Sequence, residues 1–248
     1  MFSFLKRMPR LETHGITHPG KVRPNNEDSM LLLPDKGFFC VADGMGGASA
    51  GEIASQLFVN QATLSISKPS KDHEEASRLV KEIFWKANSI IREHAKSNPS
   101  HSGLGCTAEV LSFYPNGYLL GHVGDSRTYL FRKNKLKQLT KDHSLVRQQL
   151  EQGLISLEEA QSHPMRNVIL RAVGVQEELA VDLIKGSYKS GDMFLLCSDG
   201  LSDMLSDSVI AKVLLLQLPV AELCAKLVDM ANQAGGRDNI TVIVIRIV

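Results

Sequence analysis

Apolar runs that end abruptly on an aspartate followed by a small residue constrain this chain more than any other feature. Phe38-Phe39-Cys40-Val41-Ala42 leads into Asp43-Gly44, Leu119-Leu120-Gly121-His122-Val123-Gly124 into Asp125-Ser126, and Phe194-Leu195-Leu196-Cys197-Ser198 into Asp199-Gly200. A fourth aspartate, in Asp238-Asn239, stands directly before residues 240–248, which are almost wholly apolar. A strand without polar alternation is buried on both faces, so the chain needs layers on either side of its sheets. If the strand ends converge, the aspartates form an oxygen-rich pocket at the rim of a rigid sheet. Ionised carboxylates that close repel and raise one another's pKa unless cations neutralise them. Oxygen ligands without accompanying His or Cys select Mg²⁺ or Mn²⁺ over zinc or copper. Taken singly, each aspartate also suits a turn or a helix cap, and Asp-Gly is a common turn signal.

At 248 residues and 43% hydrophobic content the chain can bury one substantial core. Neither a fixed-period repeat nor a low-complexity or Pro/Ser-rich linker divides it, so one domain is expected over residues 1–248, with 1–10 as a short N-terminal extension. Lys and Arg total 28 against 27 for Asp and Glu, which leaves no basic field to draw nucleic acid or an anionic membrane. The four cysteines form no C-x-x-C pair, and buried reduced thiols of a cytoplasmic protein are the expectation. Residues 1–10 mix Phe2, Phe4 and Leu5 with Lys6, Arg7 and Arg10, an apolar stretch too short for a signal-peptide core. No window approaches the roughly 18 uninterrupted apolar residues that a membrane helix requires. A soluble, cytoplasmic protein is expected.

Strands are expected at 30–33 and 37–42, joined by a Pro34-Asp35 turn. A helix is expected from Ser49, whose spacing to Glu52 is that of a capping box. Apolar residues at 76, 79, 80, 83, 84, 87, 90 and 91 form the stripe of a long helix over 72–98, stopped at Asn98-Pro99. Strand-like runs at 107–113, 118–123 and 128–132 read as an antiparallel meander, with Pro115-Asn116-Gly117 turning the first pair. Helices are expected over 142–152 and 156–161, the second opening on the capping box Ser156-x-x-Glu159. A strand at 193–197, helices from about Asp207 and from Pro219, a Gly235-Gly236 stop and the final apolar strand complete the pattern. Two blocks of helices separated by antiparallel strands imply an α+β fold, a central sandwich of strands covered by helices.

The residues Arg23-Pro24-Asn25-Asn26-Glu27-Asp28, followed by Val41-Ala42-Asp43-Gly44-Met45-Gly46-Gly47, resemble the metal-dependent protein phosphatase family, the type 2C serine/threonine phosphatases, in its bacterial-type pattern. Gly105-Cys106-Thr107, Gly124-Asp125-Ser126-Arg127, Asn167-Val168-Ile169-Leu170-Arg171-Ala172-Val173-Gly174, Cys197-Ser198-Asp199-Gly200 and Gly236-Arg237-Asp238-Asn239 continue the likeness in order. The resemblance implies an α-β-β-α four-layer sandwich, two antiparallel sheets flanked by helices, with a metal site at one end. It implies Asp43 as the carboxylate bridging two Mn²⁺ or Mg²⁺ ions, Gly44 as a ligand through its backbone carbonyl, and Asp199 and Asp238 as completing the inner set. Glu27 and Asp28 would hold metal-bound waters, and Asp125 with Asp199 would form a third, weaker metal site. Arg23 would clamp the substrate phosphate, a task for which its planar fork suits two phosphate oxygens.

The implied activity is that of a phosphoprotein phosphatase acting on phosphoserine and phosphothreonine by in-line attack of a water held between the cations, without a covalent enzyme intermediate. Arg23 and Asp43 are the catalytic candidates. The implied partners are phosphorylated proteins and a cognate serine/threonine kinase, with the protein a monomer and neither nucleic acid nor membrane involved. The region of about 141–164 would form a flap subdomain beside the site and shape substrate choice. Met45 stands where animal-type relatives carry the histidine that protonates the leaving oxygen, so that role is open. His122 and His143 lie nearby in sequence but read as a strand histidine and a surface histidine. Cys106, where relatives often have Ser or Thr, leaves the chemistry untouched. Two further readings are a catalytically silent phosphoprotein-binding module, which the complete ligand set opposes, and a metal-dependent nuclease, which the neutral charge balance opposes.

Overall fold

A computed structural model describes residues 8–46 and 50–248. Strands β1 (Leu11–His18), β2 (Asp28–Leu33) and β3 (Phe38–Met45) precede helices α1 (Gly51–Ser65) and α2 (His73–Ser97). Then come β4 (Gly105–Cys106), β5 (Ala108–Tyr114), β6 (Gly117–Val123), β7 (Arg127–Arg132) and β8 (Lys135–Gln138). Two short helices, α3 (Leu145–Glu151) and α4 (Leu157–Ser162), lead to β9 (Asp182–Gly186) and β10 (Met193–Cys197). The order finishes with α5 (Asp199–Ser202), α6 (Asp207–Leu214), α7 (Val220–Gln233) and β11 (Ile240–Ile247). The strands make two antiparallel sheets, ordered β1-β11-β10-β7-β8 and β2-β3-β5-β6-β9, with β4 paired to β3.

The layering follows from strands that are apolar on both faces. Along β3 successive side chains point opposite ways: Phe38, Cys40 and Ala42 pack outward on Phe58, Val80 and Phe84 of the helices α1 and α2, whereas Phe39 and Val41 point inward to Leu120, Phe194 and Ile243. On the other sheet β11 repeats the arrangement, with Val242 and Val244 under Leu223 and Leu227 of α7 and with Ile243 and Ile245 inside. Apolar surface on both sides of each sheet can be covered in no other way than by helices outside and the partner sheet inside. The expected α-β-β-α sandwich is therefore present. All four cysteines are buried and free, and among the described residues no helix is long and apolar enough to cross a membrane.

Several local expectations need correction. β5 and β6 form the expected hairpin, but 128–132 does not extend it into a meander: β7 joins the opposite sheet between β10 and β8, while β9 takes the free edge of β6. The crossing is made at Gly124, whose φ is +111° and where a Cβ would lie 2.5 Å from the Thr107 side chain. A side chain is excluded there by both conformation and space. β3 does not stop at Ala42 but runs to Met45, so Asp43 and Gly44 are strand residues. Ser49 lies outside the described residues, and the N-cap position of α1 is Ala50, with no side-chain cap bond. The helix expected from 142 begins at Leu145 with Ser144 as its cap, because Asp142 and His143 are engaged by the sandwich instead. The long helix and the Ser156–Glu159 capping box are as expected.

Phe84 is fully buried, and its ring meets that of Phe58 edge-on at 5.1 Å. Phe84→Ala should lower stability by about 3–5 kcal/mol, read as a fall in the urea midpoint with an unchanged slope.

Candidate metal centre

The strand ends do converge. Asp28 on β2 and Asp43 on β3 are register partners, and Asp28 accepts hydrogen bonds from Ser198 Oγ at 2.8 Å and Thr241 Oγ1 at 2.6 Å. Those two bonds bring the first sheet edge against the ends of β10 and β11. Asp199, the first residue of α5, follows Ser198 directly. A Cβ on Gly200 would sit 2.0 Å from the Asn239 carbonyl oxygen, so the loops carrying Asp199 and Asp238 are in backbone contact. Asp43 is fixed along its backbone: its N–H donates to Thr107 Oγ1 at 3.2 Å and its carbonyl accepts from Thr107 N at 2.8 Å. Thr107 in turn shares a 2.7 Å bond with Ser126 Oγ, which ties the Asp125 loop to Asp43.

Gly44 donates its N–H to the Glu27 carbonyl at 3.1 Å. A Cβ on it would lie 2.0 Å from the Gly51 carbonyl oxygen, and a Cβ on Gly51 would lie 2.8 Å from Glu27 Oε2. Two glycines back to back thus let the start of α1 approach the strand and bring the Glu27 carboxylate to the same place. Arg23 reaches this end of the sandwich from the β1–β2 loop and donates to Asp238 Oδ2 at 2.7 Å, with its side chain half exposed.

Electrostatics agree with the geometry. Burial pushes the Asp43 carboxyl well above its usual range, and Asp28, Asp199, Asp125 and Asp238 add to the shift. Asp199 is raised in the same way by burial and then by Asp125, Asp203, Asp238 and Asp28. Burial takes Asp28 up to about 6 despite the bonds from Thr241 and Ser198, and takes Asp125 up to about 7, with Asp142 and Asp203 contributing. Glu27 is raised, chiefly by burial. Arg23 is raised by its bond to Asp238. One oxygen each of Asp28 and Asp125 is buried with no hydrogen-bond partner.

These residues fit hard divalent cations. The donor set is carboxylate and carbonyl oxygen, its charge is uncompensated, and two of its oxygens are orphaned. Among the described residues no three His, Cys, Asp or Glu side chains are drawn into a closed cage. Mg²⁺-type ions need none, because they keep several waters and take one or two carboxylates each. The structure therefore gathers every residue singled out in the sequence, Arg23, Glu27, Asp28, Asp43, Gly44, Asp125, Asp199 and Asp238, at one end of the sandwich.

Sequence reasoning missed others. Asp203 stands four residues after Asp199 on one helical turn and adds to the charge on both Asp199 and Asp125; that i, i+4 spacing was the available signal. Asn239 accepts from Glu27 N at 2.7 Å and donates to the carbonyls of Pro19 at 3.0 Å and Asn25 at 2.8 Å, which holds the loop bearing Arg23 and Glu27. Nothing local in the sequence marks a contact between residues so far apart. The two histidines considered as proton donors are unsuited to it. His122 is sealed between Glu109 and the Lys141 carbonyl. His143 is not the expected surface residue: its side chain is only 10% exposed and lies 3.2 Å from Asp182. Burial, His122 and Arg171 push it down to about 4, so it carries no imidazolium proton near neutrality.

A family model described as Protein phosphatase 2C matches residues 18–151. The serine/threonine protein phosphatase PstP of Mycobacterium tuberculosis is 40% identical over 230 residues, covering 92% of this chain and 43% of the relative, so this chain spans less than half of that protein. The serine/threonine phosphatase Stp of Listeria welshimeri is 35% identical over 234 residues, covering 92% of this chain and 93% of the relative. A crystal structure of the PstP catalytic domain in complex with 2 manganese ions superposes with a TM-score of 0.87 at 36% identity, covering 96% of this chain and 98% of that one.

Asp125 offers a direct check on the charge crowding. Its folded-state pKa of about 7 lies above the ordinary 3.8, so the folded protein binds that proton more tightly than the unfolded one. The stabilisation is fully present below about pH 4 and is lost as pH rises through about 7. In chelator, wild-type protein should therefore lose thermal stability relative to Asp125→Asn between those values, and Mn²⁺ added at neutral pH should raise the wild-type Tm.

Proposed function

Since the chain belongs to the protein phosphatase 2C family, we propose that it is a metal-dependent serine/threonine protein phosphatase that hydrolyses phosphoserine and phosphothreonine side chains of proteins. The single observation that carries this reading is the convergence of Asp28, Asp43, Asp125, Asp199 and Asp238, where burial first and neighbouring carboxylates second raise several of the carboxyls. Divalent cations, when bound, supply the positive charge that lowers the pKa of a water towards ~7 and offsets charge on the transferring phosphoryl oxygens. Asp43, the Gly44 carbonyl, Asp199 and Asp238 would hold two such ions, Glu27 and Asp28 would hold their waters, and Asp125 with Asp199 would hold a third. The manganese in the PstP structure supports Mn²⁺ as one of the ions used.

The chain's own groups do the orienting. Arg23 engages Asp238 through one nitrogen and is half exposed, which leaves guanidinium N–H groups for phosphate oxygens. Asn239 fixes the backbone on both sides of Arg23, so the fork is held where a phosphate would meet the carboxylate cluster. Ser198 and Thr241 hold Asp28 by hydroxyl donors, which orient it without cancelling its charge. Residues 1–248 are read as one catalytic domain, and 141–164 as a flap subdomain in which Leu154 and Leu157, at the α3–α4 connection, are 67% and 63% exposed. Those side chains suit contact with a substrate polypeptide. A cytoplasmic monomer acting opposite a serine/threonine kinase is the setting this activity calls for.

Asp43→Asn should reduce Mn²⁺-dependent turnover of a phosphothreonine peptide by on the order of 10³-fold while the protein stays folded by circular dichroism; wild-type turnover would refute the assignment. Exchange of residues 151–162 for a relative's segment should change the ranking of phosphopeptides by KM and leave hydrolysis of p-nitrophenyl phosphate within about twofold.

A further inference from the structure

Glu109 and His122 are wholly shielded from solvent, and the chemistry above uses neither. They are register partners on β5 and β6, and His122 Nδ1 bonds Glu109 Oε1. The second carboxylate oxygen accepts from Thr128 Oγ1 of β7 at 2.5 Å, which ties the pair to the opposite sheet. The remaining ring nitrogen, His122 Nε2, lies 2.9 Å from the Lys141 carbonyl oxygen. A carbonyl oxygen can only accept, so Nε2 must carry hydrogen. Glu109 allows this by sharing one further proton with Nδ1. Whether the proton between the two side chains rests on the carboxyl or on Nδ1, the arrangement that satisfies both contacts keeps Nε2–H directed at Lys141.

Lys141 is where the chain leaves the sandwich for the excursion that returns near residue 170. The next two residues are gripped as well. Asp142 accepts from Arg127 Nη2 at 2.6 Å and Nε at 3.0 Å. His143 donates its N–H to the Gly124 carbonyl at 2.7 Å, and its Nδ1 accepts from Gly124 N at 3.1 Å. The returning leg is bonded to the leaving one, with Leu170 N to the His143 carbonyl at 2.7 Å and Leu145 N to the Val168 carbonyl at 2.9 Å. Both legs therefore meet beside His122, whose ring centroid is 4.5 Å from that of His143. A buried polar pair is often no better a stabiliser than apolar packing of the same volume. This one is tied to the opposite sheet through Thr128 and ends on the neck of an excursion.

We propose that Glu109 and His122 are positioning residues: they aim a fixed N–H at the Lys141 carbonyl, anchor the root of the 141–170 excursion to the sandwich, and thereby set how a phosphorylated polypeptide is held beside the carboxylate cluster. The substrate half of this inference rests on the phosphatase reading, whereas the anchoring half stands without it. Asparagine at 122 retains a polar group near the Nδ1 position but cannot reach Lys141; glutamine places its amide near the Nε2 position and can. On the Mn²⁺-loaded protein, His122→Asn should speed amide hydrogen exchange over residues 141–147 roughly tenfold while β5 and β6 stay protected, and His122→Gln should stay near wild type. His122→Asn should likewise raise KM for a phosphothreonine peptide several-fold and leave p-nitrophenyl phosphate hydrolysis within twofold. If neither single variant folds, Glu109→Leu combined with His122→Phe, which refills the core with apolar groups, should give the faster exchange. Unchanged exchange at 141–147 in every variant, equal exchange in the Asn and Gln variants, or a parallel fall for both substrates would overturn the proposal. A wild-type protein inert towards both substrates would sink the phosphatase reading instead, with the exchange comparison still deciding the anchoring.

Discussion

Mutual repulsion among carboxylates collected at one end of the sandwich is the constraint around which the rest of this structure is arranged. Left to themselves, Asp28, Asp43, Asp125 and Asp199 would move apart or take up protons, and burial, with neighbouring carboxylates adding to it, raises the carboxyls of all four. Strands buried on both faces resist the separation. Each of β3, β10 and β11 has one set of side chains under helices and the alternate set between the sheets, so no strand end can shift without opening two apolar interfaces. Pairing register is part of the same restraint. A slip of one residue between β2 and β3 would turn Asp43 to the other face and expose the alternating core residues together.

The hydroxyls that hold the Asp28 carboxylate, those of Ser198 and Thr241, are neutral. Thr107 and Asn239 fix the backbone of Asp43 and Glu27 by accepting from their N–H groups, and none of these four side chains delivers a full positive charge. Arg23 stands at the solvent boundary, bonded to Asp238. The scaffold therefore supplies geometry and leaves the charge unbalanced, as the proposed seat for cations and a phosphate would require.

Much of this was legible in the residues, and the failures have physical causes. The strand-to-aspartate junctions and the two-faced apolar runs led to the layered sandwich and to carboxylates that do lie together because both signals are local. The long amphipathic α2, with its Asp72 cap, was equally local. The meander failed because strand character at 128–132 says nothing about which sheet receives the strand, and Gly124 redirects the chain. β1 and β9, half-buried edge strands of mixed composition, lack the continuous apolar run that marks a central strand. The surface assignment of His143 failed because its partners, Gly124, Arg171 and Asp182, come from elsewhere in the chain. Asn239 was visible as half of a motif, but its task could be read only once the loop of 19–27 lay against it.

If the Gly44 carbonyl holds an ion as proposed, its contact with Gly51 bears on ion choice. With no side chain on either residue, the first turn of α1 already sits as near the strand as two backbones allow, and the rest of that helix is packed against α2 and the outer face of the sheet. A wider seat beside the Gly44 carbonyl would have to push a whole layer of the sandwich outward. Discrimination between ions of unequal radius would then belong to the stiffness of an outer wall as much as to the oxygens that touch the metal.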